Sequence, residues 1–205
     1  MTAQMAEAGR VVTGSAKGVR LLAPGSGTRP LSDRLKQALF ASLEVALADV
    51  WPVSFLDLFA GSGAAGIEAL SRGAPSALFV ECDPGAARVI AENLRRAGPH
   101  GDARVMRRDV SSVLAGGGTS VGGPFGAVLL DPPYADRQAL ITALTQLGDP
   151  TLGWISDDSI VVAKHAWRDE LPARAGRLAA QRRRRFGDSA LSYYRPDMST
   201  EALDA

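Results

Sequence analysis

Asp57-Leu58-Phe59-Ala60-Gly61-Ser62-Gly63-Ala64-Ala65-Gly66 joins an apolar, strand-like run to a stretch that reads as helix. Gly61, Gly63 and Gly66 fit the spacing G-x-G-x-x-G. Glycine has no Cβ and tolerates positive φ, so such a turn lets the backbone come close to a ligand. Glu81 stands twenty residues beyond Gly61, at the end of the next strand-like run. In nucleotide-binding α/β folds a carboxylate there meets a ribose diol. Phe59 in the turn, Asp83 just past Glu81, and Asp109 with Val110 after the third apolar run complete the expected cofactor set. All these strand exits open on one edge of a parallel sheet, where such folds bind ligands.

The pattern around this stretch alternates. Strands are expected at 54–59, 77–81, 104–107, 127–130 and 159–164, and helices at 64–71, 85–96 and 137–147, with a short turn or helix at 111–114. Alternating strand and helix argues for a doubly wound, Rossmann-like α/β sheet. Ahead of it, 10–14 and 18–22 read as a hairpin around Ser15-Ala16-Lys17. Ser32 is placed to cap a helix from Asp33 to about Ala48. Near the end, 182–186 and 190–195 read as a closing hairpin around Gly187-Asp188-Ser189. The expected organisation is an N-terminal extension over 1–50, a main domain over 51–196, and a disordered tail over 197–205.

Composition is that of a globular protein: 46% hydrophobic and 22% charged over 205 residues. No apolar run approaches the roughly 20 residues that span a bilayer, and the start lacks an apolar signal region. The expected setting is cytoplasmic, away from membranes. The single Cys82 cannot form an internal disulfide and is expected to be a small buried residue rather than a nucleophile. The net charge of +1 hides an uneven distribution. Residues 1–40 hold six basic and two acidic groups, and residues 171–195 hold seven and one. Two basic ends around an acidic middle suggest a polyanionic partner.

The second informative segment is Asp131-Pro132-Pro133-Tyr134, directly after Ala127-Val128-Leu129-Leu130. Proline fixes its own φ and pushes the preceding residue to extended geometry. The result is a stiff corner with outward carbonyls, a carboxylate and an aromatic face, suited to a flat ring that carries an amine. This corner bears on the choice of cofactor, because a dinucleotide and S-adenosylmethionine both carry adenosine. Asp57, four residues before Gly61, suits the ammonium of a methionine moiety and would repel a pyrophosphate. S-adenosylmethionine is therefore the expected cofactor, and no metal is expected.

Taken with Arg10, Gly14 and Gly18-Val19-Arg20-Leu21, with Thr28-Arg29-Pro30…Asp33-Arg34…Ala38-Leu39-Phe40 and with Glu68-Ala69-Leu70-Ser71-Arg72-Gly73, these motifs resemble the bacterial 16S ribosomal RNA guanine-N2 methyltransferases of the RsmD type. The resemblance covers residues 10 to about 195. The DLFAGSG and DPPY motifs are common to many amino-group methyltransferases; the TRP…DR…ALF segment narrows the match. It departs at Leu31, where many members carry Thr, and at Ala163-Lys164-His165, where an acidic residue is usual. The resemblance implies a class I fold: a seven-stranded, mostly parallel sheet whose last strand runs antiparallel, with the closing hairpin at its edge. It implies methyl transfer to the exocyclic amine of one guanine in the small ribosomal subunit or an assembly intermediate, by a protein taken as a monomer. Asp131, Pro132, Pro133 and Tyr134 are the expected catalytic set.

The basic ends supply the expected nucleic-acid contacts: Arg10, Lys17, Arg20, Arg29, Arg34, Arg182, Arg183, Arg184 and Arg185. Arg29 and Arg34 also suit a methionine carboxylate, and Arg34 suits a solvated helix surface. For Arg182–Arg185 the plain alternative is an edge strand guarded by charge. His165 and Trp167 follow the fifth strand; Trp51 and Trp154 suit packing. The rival functions are a DNA or other RNA amino-methyltransferase, a nicotinamide-dependent oxidoreductase, and a non-catalytic RNA-binding protein.

Overall fold

The computed structural model describes residues 7–25 and 31–197. The chain forms two compact units, one ending at Asp109 and one beginning at Val110.

The first unit contains β1 (Glu7–Arg10), β2 (Arg20–Leu22), α1 (Asp33–Ala46), β3 (Phe55–Leu58), α2 (Ala64–Ser71), β4 (Ser76–Val80), α3 (Pro84–Ala97) and β5 (Asp102–Met106). Strands β5, β4 and β3 lie in that order and run parallel. Strand β3 is buried at every residue and β4 at all but Ser76. Burial on both faces is why these strands read as apolar runs rather than alternations. Ser32 caps α1 by accepting from the Leu35 amide at 3.3 Å. Trp51 packs edge-on against Phe40.

The N-terminal hairpin differs from expectation. Its strands are 7–10 and 20–22, and the segment between them closes on itself, Val11 N donating to the Val19 carbonyl at 2.9 Å and Gly18 N to the Val11 carbonyl at 2.8 Å, while its middle also binds α2. The amides of Val12 and Thr13 donate to the Glu68 carboxylate at 2.7 and 3.0 Å. Ala16 N donates to Ser71 Oγ at 2.9 Å, and Ser71 Oγ donates to the Thr13 carbonyl at 2.6 Å. Glu68 is fully buried and also accepts from Arg72 Nε at 2.9 Å. Gly14 has φ of 89°, and a Cβ there would stand 1.7 Å from the Ser71 carbonyl oxygen. Only glycine fits this close approach.

The second unit contains α4 (Val110–Leu114), β6 (Ala127–Leu130), α5 (Arg137–Leu147), β7 (Ile160–Ala166), β8 (Arg174–Ala175), β9 (Leu178–Phe186) and β10 (Ser189–Pro196). Its strand order is β6-β7-β10-β9-β8. Strands β6 and β7 are parallel, and β10 is antiparallel to both β7 and β9. The last strand is therefore an interior strand of this unit, not an edge. The burial explains why: Ala190–Tyr194 are all buried, whereas Ala180–Arg185 of β9 are exposed. Beyond the seven strands expected outside the N-terminal hairpin, β8 adds two residues at the β9 side. Trp154 stacks on Phe125 and donates from Nε1 to the Leu114 carbonyl at 2.8 Å. Among the described residues no helix is long and apolar enough to cross a membrane.

Candidate active site

In the first unit the turn after β3 has a left-handed backbone at Phe59 (φ 59°), Gly61 (54°) and Gly63 (75°). A non-glycine residue with this φ costs energy and is characteristic of functional sites. A Cβ on Gly61 would meet nothing nearer than 4.0 Å, so its backbone borders open space. Gly66 is different: a Cβ there would lie 2.3 Å from the Phe79 ring. The first glycine suits ligand approach, and the third lets α2 pack on β4.

The carboxylates around this turn each bind backbone. Asp57, 2% exposed, accepts from the Gly66 amide at 2.9 Å. Gly63, the N-cap of α2, offers no side chain to the first helical amides. Asp57 supplies an acceptor to one of them, in the position a capping side chain would serve. Glu81 accepts from Gly61 N at 2.8 Å through Oε2 and from Asp83 N at 2.9 Å through Oε1. It thus links the glycine turn to the exit of β4. A carboxylate offers about four lone-pair sites, so two amides leave acceptor capacity for hydroxyls. Asp83 caps α3, accepting from Ala86 N at 2.7 Å. Asp109 is exposed.

Cys82, expected to be buried, is exposed. Strand β4 ends at Val80, so Cys82 lies in the exit loop. Partial burial and the Glu81 and Asp109 carboxylates push its thiol up, which disfavours the thiolate.

In the second unit Val110 is buried at the start of α4. Asp131 leaves β6 and forms an ion pair with Lys164 of β7. Burial pushes the Asp131 carboxyl up; the Lys164 ammonium pulls it down by less. Pro132 is buried and Pro133 exposed. Tyr134, 37% exposed, shares a hydroxyl hydrogen bond with Ser189. Lys164 Nζ lies 5.1 Å from the centre of its ring. Pro132, Pro133, Tyr134, Lys164 and His165 line one pocket with residues of α5.

His165 is nearly inaccessible, with its ring nitrogens 2.9 Å from the Ala166 carbonyl and 2.8 Å from Ser192 Oγ. The carbonyl only accepts, so Nδ1 carries the proton and Nε2 accepts from Ser192. Burial lowers its pKa. It is a satisfied neutral histidine.

The basic residues fall into two sets. Arg10 pairs with Asp33 at 3.2 Å and Arg20 with Glu7 at 2.7 Å, both on the surface of the first unit. Lys17 and Arg34 are exposed, and Arg29 lies outside the described residues. On β9, period-two alternation sends Arg183 and Arg185 to the Trp167 ring, at 4.1 and 5.1 Å from its centre. Arg182 lies 4.3 Å over Tyr193 and Arg184 5.6 Å over Phe186. Arg183 also donates to the Trp167 and Asp169 carbonyls, and Arg185 Nε donates to the Gly187 carbonyl at 2.9 Å.

Lys164 is the site residue that sequence reading missed. Its signal lies in the parallel register: Leu130 pairs with Ala163, so the next residues of the two strands are Asp131 and Lys164. Reading the two runs in phase would have exposed it.

The family model described as Conserved hypothetical protein 95 matches residues 9–195. Ribosomal RNA small subunit methyltransferase D of Escherichia coli (strain K12) is 32% identical over 194 residues, covering 94% of this chain and 92% of that protein. YlbH of Bacillus subtilis (strain 168) is 35% identical over 187 residues, 91% of this chain and 98% of its own. The solved structure of yhhF from Escherichia coli superposes with a TM-score of 0.74 at 32% identity, covering 92% of this chain and 97% of that one. The fold is that of the class I methyltransferases. This chain belongs to the Conserved hypothetical protein 95 family, that of the RsmD-type methyltransferases.

Proposed function

We propose that the protein moves a methyl group from S-adenosylmethionine to the exocyclic N2 of a guanine in ribosomal RNA of the small subunit. The observation that carries this reading is the proline corner after β6, with Asp131 and Tyr134 on it, in a chain related over most of its length to Ribosomal RNA small subunit methyltransferase D. The donor set of the first unit fits the cofactor. Glu81 suits a ribose diol, the Gly61 and Gly63 backbone suits close approach, and Asp57 suits an ammonium. Phe59, Asp83 and Asp109 complete the proposed pocket of this unit. When bound, S-adenosylmethionine supplies an electrophilic sulfonium methyl.

The work of the chain is then positioning and charge stabilisation. Guanine must come out of any stack, and Tyr134 offers it a face worth roughly 1–3 kcal/mol. The N2 lone pair is delocalised into the ring. Hydrogen bonds from N2–H to the Asp131 carboxylate and the Pro132 carbonyl orient that nitrogen and favour pyramidal geometry. The carboxylate also stabilises the positive charge that grows on N2 as its bond to the methyl carbon forms and the carbon–sulfur bond breaks. Pro133 holds the corner stiff. The methylated nitrogen then gives its proton to Asp131 or water. Arg10, Lys17, Arg20, Arg29 and Arg34, with Arg182–Arg185, are the proposed phosphate contacts.

Calorimetric titration tests the cofactor reading. S-adenosylmethionine is expected to bind and NAD not to, and Glu81→Ala should weaken the first. Binding of NAD in its place would overturn the reading.

A further inference from the structure

The ion pair between Lys164 and Asp131 is unusual for its surroundings. The two side chains are only 10% and 20% exposed. Withdrawing an ammonium and a carboxylate from water costs several kcal/mol per ion, and their attraction offsets this only with good geometry. Such a pair adds little to stability, and in a cleft it marks function. Resting on the methyl-transfer reading above, we infer that Lys164 is a positioning residue: it holds the Asp131 carboxylate ionised, engages Oδ1, and leaves Oδ2 to accept the hydrogen of the target amine.

Three features support this. First, the parallel register places the two residues side by side, so the contact is built by the sheet rather than by a flexible arm. Second, the aliphatic stem is buried and Nζ lies by the Tyr134 ring, where cation–π attraction helps hold the ammonium. One side chain thereby braces both the acceptor and the stacking face. Third, the other charged groups of the pocket, Asp169 apart, are engaged elsewhere. On the α5 side, Asp136 accepts from Ala139 N at 3.1 Å and Arg137 donates to the Glu170 carbonyl. On the β7 side, His165 is fixed between Ala166 and Ser192, and Asp169 is the remaining carboxylate. Lys164 is the cation in contact with Asp131. Its role is to hold the carboxylate; the proton lost from N2 goes to Asp131 or water.

The test combines a titration and a rate profile. Carboxyl 13C NMR, assigned against Asp131→Asn, follows Asp131 in the full-length wild type, Lys164→Met and Lys164→Arg. In parallel, kcat/KM for methyl transfer to under-methylated small-subunit particles is measured against pH. Loss of an adjacent cation raises a carboxylate pKa by about 1–3 pH units. Lys164→Met should move the Asp131 titration and the acid limb of the rate profile upward together by about that amount, and Lys164→Arg should restore both. A residue that only supports the fold would change the melting temperature and leave both profiles in place, which would overturn the inference. Should Lys164→Met fail to fold, Lys164→Gln bears the same test. The NMR arm needs no substrate. A shifted Asp131 titration in a protein that methylates nothing would uphold the pairing and overturn the methyl-transfer reading.

Discussion

Asp131 faces opposing demands: it must be ionised to accept from an amine, yet it sits where burial disfavours charge. Burial outweighs the Lys164 ammonium and pushes the Asp131 carboxyl up, so the acid limb of the rate profile is expected above the ordinary carboxylate range. The expected result is that kcat/KM falls with decreasing pH through this raised value, as the acceptor becomes protonated. A limb at the ordinary value, measured on the wild type, would remove Asp131 from the rate. Asp131→Ala should lower kcat by about 10²- to 10³-fold, the cost of losing one preorganised charge-stabilising group. Cofactor affinity, measured by calorimetry, should stay within about twofold. At this scale the sequence was readable where chemistry is written in adjacent residues, as in Asp131 to Tyr134. Lys164 was hidden because its meaning depends on the phase of two strands 33 positions apart. Cys82 was misread because the strand was carried two residues past the end of β4, across Glu81.

Elements built from local periodicity were the most legible. Helices α2 and α5 and strand β6 lie at 64–71, 137–147 and 127–130 as expected. The N-terminal hairpin was less so, because its middle pairs with Glu68 and Ser71 more than 50 positions away. No local pattern encodes that choice. Glu68→Ala would strand two backbone amides and Arg72, costing about 3 kcal/mol. Urea denaturation should show that loss, with faster hydrogen exchange at Val12 and Thr13. A change below about 1 kcal/mol would mean that the hairpin is held otherwise.

Strand β7 carries a separate pH effect. The pKa of His165 is depressed by burial, so the unfolded chain takes up a proton first as pH falls. Stability is full above the ordinary histidine value and declines below it, levelling once the folded form also protonates. Melting temperature should drop on acidification from pH 7 toward 5, and His165→Asn should flatten that slope. An identical slope in the variant would place the effect elsewhere.

For the whole molecule, the charge distribution was legible before any fold: basic ends and an acidic middle. What sequence did not show is how each charge is engaged. Arg10 and Arg20 are paired with carboxylates, while Arg182–Arg185 stand exposed on β9 with aromatic rings beneath them. On the proposed reading these four arginines are the stronger candidates for phosphate contact. Reversing them to Glu should weaken RNA binding and flatten its dependence on salt, by roughly 0.7 in log–log slope for each single-strand phosphate no longer neutralised. An unchanged slope in filter binding would assign them to guarding the edge strand.

The central claim joins the cofactor pocket, the proline corner and the RNA into one reaction. It is tested most directly by incubating the protein with methyl-labelled S-adenosylmethionine and small-subunit particles from cells lacking it, then mapping the labelled base. The account predicts label on N2 of one guanine in the ribosomal RNA, and its loss with Asp131→Ala. Label on another base or on protein, or none with active particles, would contradict it.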